Sequence, residues 1–197
     1  MLTSIKNHLI YLIEEELKTS FWSPADAYYK MKLLSIDQRG RIGEHFLRDV
    51  FTELNMNVEY IENGHGDFDL IVNGNKIEVK TATLDKFNKF QHEGIKNSKD
   101  WDAVAFVDII PNDLYLTLIP HKDFNFDIFY TNKSGKPARR GTVKINDKIQ
   151  NIHFRGKDNI DGNATGAGYK VDFSIKDLKI TKTIKDIENI YYQVFNK

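Results

Sequence analysis

Three carboxylates and an ammonium crowd one short apolar stretch, GHGDFDLIVNGNKIEVKTA, from Gly64 to Ala82. Asp67 and Asp69 lead into Leu70-Ile71-Val72, and Glu78 and Lys80 sit in the run that follows Asn73-Gly74. Asn-Gly between two alternating runs predicts a two-residue type I′ hairpin turn. In that register Leu70 opposes Ile77, Asp69 opposes Glu78 and Asp67 opposes Lys80. Side chains alternate along a strand, so the four charged residues share one face with Ile71. Phe68, Leu70, Ile77 and Val79 share the other. Directly opposed like charges weaken a strand pair. A divalent cation between Asp69 and Glu78 removes that cost, and hard carboxylate oxygens suit Mg²⁺, which keeps several waters and binds phosphate oxygens. Lys80 on the same face can stabilise phosphate charge or help orient or deprotonate an attacking water. Cation, water and ammonium together make a site for phosphodiester hydrolysis. The plainer alternative is a surface hairpin with a solvated charged face. The apolar flanks Leu70, Val72, Ile77 and Val79 argue instead for a buried hairpin.

The flanking elements follow from periodicity. Ser4 to Lys18 carries a helical stripe of Ile5, Leu9, Leu12, Ile13 and Leu17. SPADAYYKMKLL predicts a second helix, with Ser23 as N-cap, Pro24 in the first turn and Asp26 behind it. Ile36 to Leu54 is a third, burying Ile42, Phe46, Leu47, Val50, Phe51 and Leu54. Gly43 sits near the centre of that face, which suits close packing on a sheet, and Glu44 at its rim. Residues 57–62, 68–72, 76–82, 102–110 and 114–120 predict strands, nearly continuous in apolar character, as in a central sheet covered on both faces. A hairpin is expected within 141–154, a strand at YKVDFSI and a helix at TIKDIENIYYQVF. Residues 130–141 and 155–170 predict loops, the first basic and the second glycine-rich.

The stretch from Gly43 to Ala82, GEHFLRDVFTELNMNVEYIENGHGDFDLIVNGNKIEVKTA, resembles the PD-(D/E)xK nuclease superfamily, within a compatible α-β-β-β order. The resemblance implies an α/β fold with a mixed central β-sheet flanked by helices, a restriction-endonuclease-like core. It implies Asp69 and Glu78 as metal ligands, Lys80 as the catalytic lysine, Glu44 as the helix glutamate and the main-chain carbonyl of Val79 as a further ligand. Phe68 stands where the family's proline would precede the aspartate. Asp67 competes for the first ligand position; Asp69 is preferred because it opposes Glu78. The cofactor implied is Mg²⁺, with Mn²⁺ as a substitute.

A single nuclease domain over 1–197 is expected: an N-terminal helical segment at 1–35, the catalytic core at 36–120, and DNA-recognition and C-terminal elements at 121–197. Its partners would be double-stranded DNA, a second copy of the chain and a cognate DNA methyltransferase of the same system. The basic residues Lys133, Lys136, Arg139 and Arg140, with Arg155 and Lys157, are the candidate DNA contacts. The glycine-rich stretch matches no phosphate-loop pattern. Gln91 and His92, after the ExK strand, and His65 are read as ordinary polar residues, and the six histidines lack zinc-hydrolase spacing. A type II restriction endonuclease fits best. A Holliday junction resolvase or Mrr-like repair nuclease is the alternative, and a non-catalytic DNA-binding module a third.

Composition constrains these readings only loosely. Basic and acidic residues balance at 28 each, so polyanion binding must rest on local patches. With no cysteine there are no disulfides or thiolate metal sites, which is compatible with a cytoplasmic protein. No membrane span is expected, and the N-terminal stretch does not read as a signal peptide.

Overall fold

The computed structural model describes residues 5–18, 20–61, 67–97, 100–156 and 166–196. Among the described residues three helices, α1 (Ile5–Lys18), α2 (Ile36–Glu53) and α3 (Ile184–Phe195), accompany eleven strands. One sheet is mixed and six-stranded. It contains β1 (Val58–Tyr60), β2 (Leu70–Val72), β3 (Asn75–Thr83), β5 (Ala103–Ile109), β6 (Leu114–Pro120) and β11 (Ile180–Thr181), in the order β1-β2-β3-β5-β6-β11. Only β3 and β5 run parallel. The other sheet is antiparallel: β4 (Lys89–Ile95), β10 (Gly166–Ser174), β9 (Lys148–Gly156), β8 (Pro137–Ile145) and β7 (Phe124–Thr131) lie side by side in that order. The fold is thus mixed α/β. Among the described residues no helix is long and apolar enough to cross a membrane.

Within β2 the hairpin register is the expected one, with Leu70 paired to Ile77, Ile71 to Lys76 and Val72 to Asn75. The ladder stops at Leu70, however, and does not extend to the expected Asp69–Glu78 and Asp67–Lys80 pairs. Asn73 and Gly74 both take positive φ, 48° and 83°, as a type I′ turn demands. The order α2-β1-β2-β3 matches the expected α-β-β-β succession. β5 is buried along its whole length, as a strand covered on both faces must be. Helices cover one face, where α2 and α3 meet through Phe51 and Tyr191, ring centroids 5.5 Å apart. The second sheet covers the other, where Phe106 of β5 packs edge-on against Phe173 of β10. The sequence pointed to a sheet covered on both faces and flanked by helices; both faces are covered, and on one of them the strands after residue 120 form the covering layer.

Other readings change as well. Residues 24–34 form turns and a 3-10 turn (Tyr29–Leu33) rather than a helix. The N–H groups of Ala27 and Tyr28 are taken by the Asn112 side chain and the Pro111 carbonyl, which removes them from any helical ladder. Ile42 lies exposed on α2, while Leu47, Val50 and Phe51 are buried. The polar stretch after β3, where no strand was expected, is β4: Phe90, His92 and Ile95 point inward, whereas Phe87 is exposed. The expected loop at 130–141 is a hairpin, with only Asn132–Lys136 in its turn. The hairpin expected within 141–154 is β8–β9, and YKVDFSI lies largely in β10. His65, Lys157 and most of the glycine-rich stretch lie outside the described residues.

Candidate active site

β2 is only three residues long, so it pairs with the first part of β3, and among the described residues no strand pairs with Val79 to Thr83 on that side. Asp69 sits where the ladder stops. Its N–H donates to the Ile77 carbonyl at 3.0 Å, and its carbonyl accepts from Ile61 at 3.0 Å. Its side chain turns toward β3, where Oδ2 accepts the Val79 N–H at 2.7 Å. A carboxylate thereby replaces the carbonyl that a longer β2 would have offered, and the backbone fixes the orientation of Asp69.

Glu78 is buried, and its Oε1 accepts from Lys80 Nζ at 2.5 Å. The two residues are two apart on one strand and share a face, as expected. The Glu78 carboxylate stands close enough to Asp69 to disfavour the Asp69 charge. The Asp69 carboxyl is pushed up to about 6, first by burial and next by the Glu78 carboxylate; the Val79 N–H and Lys80 pull the other way. Thr81 lies on the opposite face and packs beneath Gly43 of α2. A Cβ at Gly43 would fall 1.9 Å from Thr81 Oγ1, so only glycine permits this approach. One residue further along α2, Glu44 accepts a 2.9 Å hydrogen bond from Tyr60 Oη of β1.

Asp69, Val79, Lys80 and Glu44 all line one cleft of about 1180 Å³, which also takes in Lys32, Arg39, Asp85, Gln91 and His92. Asp67 is exposed and does not line it. The geometry therefore distinguishes two aspartates that sequence spacing left in competition. The donor chemistry suits a hard cation, because burial and the neighbouring Glu78 carboxylate make the Asp69 charge costly and a divalent charge would relieve it. Among the described residues no group of three or more His, Cys, Asp or Glu side chains gathers closely enough to hold a metal by itself. Mg²⁺ commonly takes one or two carboxylates and completes its shell with water and phosphate oxygens.

Gln91 and His92 are less ordinary than the sequence suggested. Gln91 Nε2 donates to Asp85 Oδ2 at 2.7 Å, and its Oε1 accepts from Lys170 Nζ at 2.6 Å. His92 Nε2 meets Asp108 Oδ1 at 2.8 Å in a pair almost closed to solvent, joining β4 to β5 across the two sheets. Burial pushes the Asp108 carboxyl up, and His92 opposes that. No sequence pattern links residues 92 and 108; only the stacking of the sheets does.

The basic set is dispersed. Lys133, Lys136, Arg140 and Arg155 are exposed. Arg139 lies with its guanidinium 3.7 Å from the Phe154 ring centroid and 3.2 Å from Asp127 Oδ1, and only 11% of its side chain is exposed. None of these five lines the cleft. β8 is three strands from β4 in its sheet, about 14 Å at ordinary strand spacing. Cleft residues that sequence reasoning missed include Lys32, Arg39, Tyr60, Thr83 and Asp85. They come from four separate stretches of chain, and only the ends of the hairpin carried a local signal. Comparison with family models, with curated proteins and with solved structures finds no match to this chain.

Proposed function

We propose that this chain is a Mg²⁺-dependent endonuclease that hydrolyses phosphodiester bonds in double-stranded DNA, most like a type II restriction endonuclease with that family's core. The supporting observation is the arrangement at the end of β2: Asp69, locked toward β3 by the Val79 N–H, lines the cleft together with Lys80, and Glu78, the partner of Lys80, is buried beside them without itself lining the cleft. Asp69 and Glu78, with the Val79 carbonyl, would hold the Mg²⁺. When bound, that ion would supply charge for the phosphate oxygens and make water more acidic. Lys80 holds its proton at Nζ, where it can donate to a phosphate oxygen or orient the attacking water. Glu44, steadied by Tyr60, reaches the same cleft from α2 and supports a metal through water or a second ion. In the reaction the water oxygen bonds to phosphorus, one phosphorus–oxygen ester bond breaks, and the leaving oxygen takes up a proton.

A homodimer that cuts both strands and a companion methyltransferase belong to this reading, as does a cytoplasmic location. The test is digestion of unmethylated phage DNA by purified protein with Mg²⁺. Discrete fragments are expected, with none in EDTA. Asp69→Ala, Glu78→Ala and Lys80→Ala should each lower the rate by at least about a hundredfold. Cleavage confined to four-way junctions would support the resolvase alternative. Plasmid, single strands and junctions all left intact, with Lys80→Ala altering only binding, would defeat the nuclease reading and favour a binding module.

A further inference from the structure

Away from Asp69 and Glu78, the cleft wall holds Lys32 and Arg39, which among the described residues form no ion pair and share one hydroxyl. Lys32 Nζ donates to Thr83 Oγ1 at 3.4 Å, and Arg39 Nη1 donates to the same oxygen at 3.0 Å. Arg39 Nε is buried without a hydrogen-bond partner. Several other cations have a carboxylate partner: Lys76 with Asp100, Lys80 with Glu78, Lys148 with Asp177 and Lys170 with Asp172. Asp85, the acid acting on Lys32 from a distance, is otherwise engaged. Its Oδ1 accepts the N–H groups of Phe87 and Lys89, and its Oδ2 accepts from Gln91. Burial and the nearby Arg39 charge hold the Lys32 ammonium below its ordinary range. Two like charges drawn to one oxygen repel, and the fold bears that cost beside a cleft. Thr83 is buried at the end of β3, and with two donors already on its oxygen its own O–H remains to donate.

A ligand that satisfies all three groups carries negative charge on several closely spaced oxygens. We infer that Lys32, Arg39 and Thr83 form a phosphate subsite for a nucleic-acid strand lying in the cleft. The inference rests on the nuclease reading and deepens it. Thr83 lies three residues beyond Lys80 on one strand, about 10 Å along it. The odd offset turns Thr83 to the face opposite Lys80, but both line the one cleft at the edge of β3, where among the described residues β2 no longer pairs. A nucleic-acid strand running along that edge with its cleaved phosphate at Lys80 would bring another of its phosphates near Thr83. The guanidinium fork can take two phosphate oxygens at once, which matches an arginine with unused N–H groups.

The test is the salt dependence of binding to a 30-base-pair duplex, with Ca²⁺ replacing Mg²⁺. For each phosphate contact removed, the slope of log K against log salt should shrink by about 0.9. Lys32→Ala and Arg39→Ala are each expected to do this, while Lys185→Ala, on the distant α3, should not. Lys32 is exposed, so its variant reads binding even if Arg39→Ala folds poorly. Wild-type protein binding duplex with an ordinary slope that neither variant changes would overturn the subsite alone. Wild-type protein with no salt-dependent duplex binding would overturn the nuclease reading with it. A nucleoside 5′-monophosphate held tightly at Lys32 and not displaced by duplex would also overturn the strand assignment.

Discussion

Asp69 is held in place by hydrogen bonds on three sides, yet its charge is disfavoured by its surroundings. Its folded pKa of about 6 lies above the ordinary 3.8, so the folded chain binds a proton more readily than the unfolded one. Metal-free stability is therefore greatest below about pH 4 as far as this residue is concerned, and is lost as pH rises through 6. Asp69→Asn keeps an oxygen for the Val79 N–H and removes the charge. In EDTA at pH 7.5 it should raise stability by up to roughly 3 kcal/mol, taking two pH units at 1.36 kcal/mol each. Below pH 4 it should change little. Urea titrations at both pH values check this, and an equal gain at each would show that ionisation is not the cause.

At the scale of elements, the approach of α2 to β3 sets the cleft wall that carries Glu44. Gly43→Ala places a methyl group within 1.9 Å of Thr81 Oγ1, and threonine is stiff at χ1. The expected loss is about 1–3 kcal/mol, as for an overpacked core. Thr81→Ala in the same chain should recover part of it, since the closest clash is with the hydroxyl. Thermal melts of the two single variants and the double variant measure the recovery; its absence would mean that Gly43 is needed for another reason. α2 also carries a complete capping box: Ser35 Oγ accepts the Gln38 N–H at 3.2 Å, and the Gln38 side chain accepts the Ser35 N–H at 2.9 Å. Ser35→Ala should cost about 1 kcal/mol of stability, again by melting.

Across the whole molecule, His92 and Asp108 tie the two sheets together where aromatic rings otherwise fill the interface. His92 packs 4.8 Å from Phe106 and 5.4 Å from Phe173, and Asp108 Oδ2 is buried without a partner. Asp108→Leu alone leaves a buried imidazole without its acceptor, and should cost about 3 kcal/mol or more. Adding His92→Phe turns the contact apolar and should restore much of that stability. A double-mutant cycle in urea reads the difference. If the two losses simply add, the pair does not act as a unit across the sheets.

The hairpin was legible because every step toward it is local: an Asn-Gly turn, a period of two, and residues whose pairing follows from counting outward. Glycine at position 43 could likewise be read as a packing position, since helical periodicity alone places it on the buried face. The second sheet, the strand at 89–95 and the cations at the cleft were not legible. β4 carries polar residues because one of its edges borders a cleft rather than solvent or core, so its composition imitates a linker. Residues 24–34 have helical signals, but hydrogen bonds from residues 111 and 112 outweigh them. The sequence by itself determined which side chains oppose one another within the hairpin, because neighbours along a chain obey short-range geometry. Tertiary structure alone decided that Asp69, not Asp67, faces the cleft, that Lys32 and Arg39 converge on Thr83, and that His92 finds Asp108. Those contacts join segments far apart in the chain, and how the layers stack, not local spacing, brings them together.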